Sequence, residues 1–82
     1  MSEGVSHLRK RSFSLAGHRT SVALEPAFWT VLEQAAKARA VSLAALVTRI
    51  DATRAEDGSP LASALRVWAL ANRDQLSSSL SQ

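Results

Sequence analysis

The fold turns on Arg19-Thr20-Ser21-Val22-Ala23-Leu24-Glu25, which runs straight into Pro26-Ala27-Phe28-Trp29. Side chains alternate along a strand, so Thr20, Val22 and Leu24 share one face and Arg19, Ser21 and Ala23 the other. The stretch reads as a short strand, Thr20 to Leu24, leading into an amphipathic helix. A single strand leaves its backbone donors and acceptors without partners. The helical segments that follow offer it no obvious sheet, so a second copy of the chain is the economical partner. Two copies paired antiparallel make a ribbon with an apolar underside and an outer row of Arg, Ser and Ala.

Composition narrows the possibilities around that strand. The 82 residues allow one small domain. Their 46% apolar content excludes wholesale disorder, but much of it is alanine, which buries little surface. Dimerisation would supply the missing core. The absence of Cys excludes disulfides and thiolate metal sites. His7 and His18 lack metal-ligand spacing, so neither a metal nor another cofactor is expected. No apolar run approaches the roughly 20 residues of a membrane span. Met1-Ser2-Glu3-Gly4-Val5 lacks the apolar centre of a secretory signal, and the cytoplasm is the expected compartment. Catalysis finds no footing: the acids are scattered, no Ser sits in a G-x-S-x-G context, and a chain this small has little room for a closed pocket. The expectation is a protein that is not an enzyme.

Charge is modest in sum and uneven in place. The formal net charge is +3 and the pI about 10.7. Between Arg9 and Arg19 the chain carries Arg9, Lys10, Arg11 and Arg19, with His18 beside them and no acid. From Pro26 to Asp57 the signs balance. The positive excess therefore sits at and just before the ribbon, where a polyanion is the natural partner.

The remaining organisation follows from period and punctuation. Residues 1–10 read as a flexible basic arm and 11–76 as one domain. Arg11-Ser12-Phe13-Ser14-Leu15 alternates as a second candidate strand, and Ala16-Gly17-His18 as a turn. A first helix is expected from Pro26, suited to the opening position, to about Arg39. Phe28, Leu32 and Ala35, with Trp29 and Ala36 beside them, form its core face. Ser42 caps a second helix that turns Leu46, Val47 and Ile50 inward and fades by about Glu56. Asp57-Gly58-Ser59-Pro60 reads as stop and restart, with Gly58 ending one helix, Ser59 capping the next and Pro60 opening it. The third helix is expected to reach about Leu76, with Leu61, Leu65, Trp68 and Ala69 on one face and Val67 and Leu70 widening it. Residues 77–82 read as a mobile tail.

A basic strand, a helix, a short turn and a Ser-capped second helix resemble the ribbon-helix-helix family of bacterial DNA-binding proteins. The residues that carry the resemblance are R-T-S-V-A-L-E-P-A-F-W (19–29) and V-S-L-A-A-L-V (41–47). The longer string K-R-S-F-S-L-A-G-H-R-T-S-V-A-L-E-P (10–26), with a third helix near S-A-L-R-V-W (63–68), looks like one bacterial branch of that family. The resemblance implies a mainly α fold with a short β-ribbon, built as a dimer with an extra C-terminal helix. It implies a transcriptional regulator whose dimeric ribbon lies in the major groove of double-stranded DNA. Carried over by residue, Arg19, Ser21 and Ala23 face the bases. Arg19 suits a bidentate bond to guanine, Ser21 donates or accepts, and the Ala23 methyl meets a thymine methyl. Ser42, Leu43 and Ala44, at the start of the second helix, hold a phosphate. Arg9, Lys10, Arg11 and His18 are further phosphate contacts.

Two features depart from the family pattern. Its turn between the helices usually has Gly where Ala40 stands, so either the turn differs or a left-handed Ala is tolerated. Ala23 reads bases weakly, which leaves discrimination largely to Arg19 and Ser21. A competing arrangement closes an intrachain hairpin, with Gly17 first in a two-residue loop, Leu15 opposite Thr20 and Phe13 opposite Val22. Such a hairpin either widens the dimer's sheet or replaces the ribbon. The second case leaves an interaction module with little DNA affinity. A protein partner on the third helix, as in antitoxins of this family, is compatible with DNA binding.

Overall fold

A computed structural model describes residues 7–56 and 58–81, and side chains as far as Arg73. Residues 1–6 of the expected arm, Asp57 of the stop signal and Gln82 of the expected tail lie outside the described residues.

The chain makes its own ribbon. Strand β1 (Arg9–Leu15) pairs antiparallel with β2 (His18–Leu24). Ala16 and Gly17 join them, both at positive φ (51° and 83°), the signature of the two-residue turn whose twist matches that of the flanking strands. Choosing between the two pairings, the structure takes the intrachain hairpin, and its register corrects the expected one. Leu15 faces His18, Phe13 faces Thr20, and Arg11 faces Val22. The loop is Ala16-Gly17 rather than Gly17-His18. Every partner therefore moves by two residues, which keeps Phe13, Leu15, Thr20, Val22 and Leu24 on one side. Arg9 and Lys10, assigned to a flexible arm, belong to β1, and β2 begins at His18 rather than Thr20.

Helix α1 (Pro26–Ala38) starts with Pro26 in its first turn, as its sequence predicts. It ends in two reversed bonds, Ala40 N–H to the Lys37 carbonyl and Val41 N–H to the Ala36 carbonyl, both 3.0 Å. This is the Schellman closure, which requires a left-handed residue just beyond the helix. Ala40 takes that position with φ 58°. The turn is of the glycine kind, built with alanine. Ser42 caps α2 (Leu43–Arg54), its Oγ accepting from Ala45 N–H at 3.0 Å. Helix α3 (Leu61–Ser81) opens one residue later than expected: Pro60 contributes only its carbonyl, which accepts from Ala64 N–H. Its backbone continues through Ser81, past the expected end at Leu76.

The sheet's apolar side lies on the helices, with β1 against α2, β2 against α3, and α3 against both α1 and α2. Phe13, Leu15, Val22 and Leu24 join Trp29, Leu32, Val47 and Leu65 in one core. Leu24, Leu32, Val47 and Leu65 are fully buried by this chain alone. The underside of β2 needs no second copy to cover it, because β1 and α3 enclose it. Trp29 is locked from both ends: its ring lies 6.0 Å from that of Phe13, and its Nε1–H donates to the Arg9 carbonyl at 2.8 Å. Phe28, placed on the core face by its period, is only half-buried, while Trp29 goes inside.

Candidate nucleic-acid interface

The side of the ribbon turned from the helices carries Lys10, Ser12 and Ser14 on β1 and Ala23, Ser21 and Arg19 opposite them on β2. All but the half-buried Ala23 are exposed. Ser12 Oγ and Ser21 Oγ are hydrogen-bonded across the strands at 3.0 Å. The face holds two cations, three hydroxyls, a methyl and no carboxylate. Short side chains let a partner come close to the backbone, and the cations set the sign of that partner.

The hairpin also determines which backbone groups point outward. A two-residue turn makes Leu15 and His18 a hydrogen-bonded pair, and such pairs alternate with non-bonded ones along an antiparallel ladder. The N–H and C=O groups of Arg19, Ser21 and Ala23 therefore line the outer edge of β2. Those of Lys10, Ser12 and Ser14 line the outer edge of β1. The close Ser12–Ser21 contact fits a non-bonded pair, whose side chains approach most nearly.

At the start of α2, Ser42 Oγ occupies the Ala45 amide. The amides of Leu43 and Ala44, also in the first turn, have no carbonyl one turn back to bond. They stand at the positive end of the helix, where an anion is favoured.

Placement separates the expected phosphate contacts into groups. Lys10 is on the outer face. Arg9 and His18 are exposed at the ends of the ladder, but their pairing with Leu24 and Leu15 sets them on the helix side. Arg11 is committed elsewhere. Its guanidinium is 5.0 Å from the centre of the Trp29 ring and 2.6 Å from Glu33 Oε2. The basic run R-K-R thus splits by strand parity, a consequence hidden when Arg9 and Lys10 are read as an arm and only Arg11 as strand. Ser12 and Ser14, missed as face residues, were legible through the same parity once Arg11–Leu15 was taken as a strand.

A family model described as a ribbon-helix-helix domain matches residues 8–72. The chain belongs to the ribbon-helix-helix family. The matched span begins ahead of β1 and ends within α3, and the two-stranded ribbon, two helices and extra C-terminal helix are the architecture expected from the sequence. Ribbon-helix-helix proteins are in general DNA-binding and regulatory, and they generally bind DNA as dimers. No curated protein and no solved structure matches the chain. Among the described residues no helix is long and apolar enough to cross a membrane, and no three His, Asp or Glu side chains gather as metal ligands do.

Proposed function

We propose that the protein is a bacterial, cytoplasmic transcriptional regulator that binds duplex DNA as a homodimer through the outer face of its ribbon. The observation that carries this reading is the acid-free face of Lys10, Ser12, Ser14, Arg19, Ser21 and Ala23 on a ribbon-helix-helix chain. Arg19 and Ser21 read base edges, and Ala23 contacts a thymine methyl. Lys10 and the amide end of α2 at Ser42, Leu43 and Ala44 hold phosphates, with Arg9 and His18 at the margins. Arg11 is left out of this set because it lies on the helix side of the ribbon, paired with Glu33.

Two copies meeting along their β2 edges form a four-stranded sheet with β1 outermost on each side. Strands about 4.8 Å apart make that sheet roughly 14 Å across. The major groove is about 12 Å wide. The central β2 pair then lies over the bases, and the two β1 strands meet the phosphate walls. The division of labour between Arg19 and Lys10 follows from that width.

Selection from a randomised duplex pool, followed by anisotropy titrations across a salt series, tests the reading. With about two to three phosphates per protomer, log affinity should fall with log salt at a slope of about −4 to −5. Arg19→Ala should cost about 1–3 kcal/mol on selected DNA and much less on random DNA. Lys10→Ala should weaken both alike and flatten the slope, since phosphate contacts carry no sequence. A flat salt response, or no binding at low salt, sinks the proposal. One observation favours a second reading, an antitoxin-like interaction module with a protein partner on α3: Val67 and Leu70 on that helix are 66% and 51% exposed. That reading expects Arg19→Ala to change nothing.

A further inference from the structure

Helices α2 and α3 diverge to leave a groove of about 740 Å³. Its buried floor is Leu46 and Ile50, with Trp68 and the exposed Val67 along the opposite wall. Arg39, Arg49 and Arg54 also line it, and among the described residues no carboxylate does. Three guanidinium-bearing side chains thus share a groove with an apolar floor.

The arginines are held to different degrees. Arg54 is fixed by Asp51 at 2.8 Å and by the Ser59 carbonyl at 3.0 Å. Arg39 stacks 5.0 Å from the Trp68 ring centre and donates to Asn72 Oδ1 at 3.3 Å. Arg49 is exposed, and its guanidinium has no hydrogen bond or ion pair among the described residues. The groove thus has two positioned cations and one available. By contrast, the smaller groove between α1 and α3, about 350 Å³, is lined by a single cation, Arg73.

We infer that the α2–α3 groove binds a small amphipathic anion, an apolar chain or ring system ending in a carboxylate. The volume lies in the range of small-molecule sites, about 300–1,000 Å³. The lining residues run from Leu46 to Arg54 and from Ser63 to Ala71, about 12 Å along each helix at 1.5 Å per residue. That length holds a medium-chain body lying against Leu46, Ile50 and Val67. Its carboxylate accepts from Arg49, the guanidinium left without a partner. Charge complementarity selects this occupant: a carboxylate meets the cationic rim at Arg49, and an apolar body meets the floor of Leu46 and Ile50. The site stands apart from the ribbon face, so its test is independent of DNA binding.

Decanoate is the probe, titrated into the full chain and followed by amide chemical shifts in two-dimensional NMR. Saturable shifts confined to α2 and α3 are expected, centred on Ile50, Thr53, Ala64 and Val67. Decylamine, with the same chain and the opposite charge, should bind at least tenfold more weakly. Arg49→Glu should weaken decanoate at least tenfold, and Arg49→Lys by no more than about threefold. Both variants lie on an exposed position, and their spectra report directly whether the fold is kept. Non-saturating shifts, or equal binding of decylamine, overturn the inference. So does a dimer that Val67→Asp converts to monomer in sedimentation equilibrium, since the groove is then covered by a second copy.

Discussion

Two alanines carry conformations that favour glycine, and each has a reason in the residues around it. Ala16 at φ 51° keeps the hairpin turn short, and Ala40 at φ 58° closes α1 so that Ser42 arrives in place to cap α2. Left-handed backbone costs an L-residue with a Cβ about 1–2 kcal/mol. Ala16→Asn and Ala40→Gly should each raise stability by about 1 kcal/mol in urea unfolding, with no change in the far-ultraviolet spectrum. An unchanged midpoint in both would show that the strain is relieved elsewhere. Glu25 gives the fold a response to acid. Its carboxyl is held below its ordinary 4.5 first by its own backbone amide and then by Arg66, whose Nε is 3.0 Å away. A carboxyl depressed on folding stabilises the protein at pH above its unfolded value, and that contribution is lost as pH falls through the folded value. The melting-temperature difference between wild type and Glu25→Gln should be constant from neutral pH to about 5.5 and shrink below 4.5. A difference independent of pH would mean that folding does not depress this carboxyl.

At the scale of elements, the start of α2 combines a structural and a binding property that one substitution separates. Ser42 Oγ satisfies the Ala45 amide, whereas the proposed phosphate at the helix start would be met by the Leu43 and Ala44 amides. Ser42→Ala should therefore cost about 1 kcal/mol of stability. DNA affinity should change less than threefold, provided the helix keeps its first turn. Urea unfolding beside anisotropy titration checks both halves. A large loss of affinity at preserved stability would assign the phosphate contact to the Ser42 hydroxyl itself. The ribbon shows the same layering. Its underside is assembled from both strands onto α2 and α3, while its outer face is left with short polar side chains and two cations.

For the whole molecule, the decisive matter is that one chain buries Leu24, Leu32, Val47 and Leu65 without help. In the proposed dimer, association is then a matter of strand edges rather than of completing a core. Ser21 N–H points away from β1 in the alternating ladder, so Ser21→Pro removes a donor from the outer edge while leaving the hairpin's own bonds. Ser12→Pro does the same to the outer edge of β1. Sedimentation equilibrium at micromolar protein should give a dimer for wild type and Ser12→Pro and a monomer for Ser21→Pro, all three folded by circular dichroism. A dimer that survives Ser21→Pro would run through the helices instead of the sheet.

Much of this architecture was legible in the residues alone. Alternation from Thr20 to Leu24, Pro26 at a helix opening, Ser42 as a cap and the period of Leu32, Ala35, Leu46, Val47 and Ile50 are local signals, each set by backbone geometry within a few residues. They determined the order of elements, the face of β2 that goes inside and the family it resembles. Tertiary structure decided what local signals leave degenerate. Either strand pairing satisfies the same alternation, and a two-residue shift of register preserves every face, so the turn closed at Ala16 and Gly17, together with packing on α2 and α3, selects Leu15 opposite His18. Whether Arg11 meets a phosphate or Glu33 depends on a helix distant in sequence, and the same holds for the groove that gathers Arg39, Arg49 and Arg54. Parity along a strand is written in the chain; the partner waiting on each side of it is not.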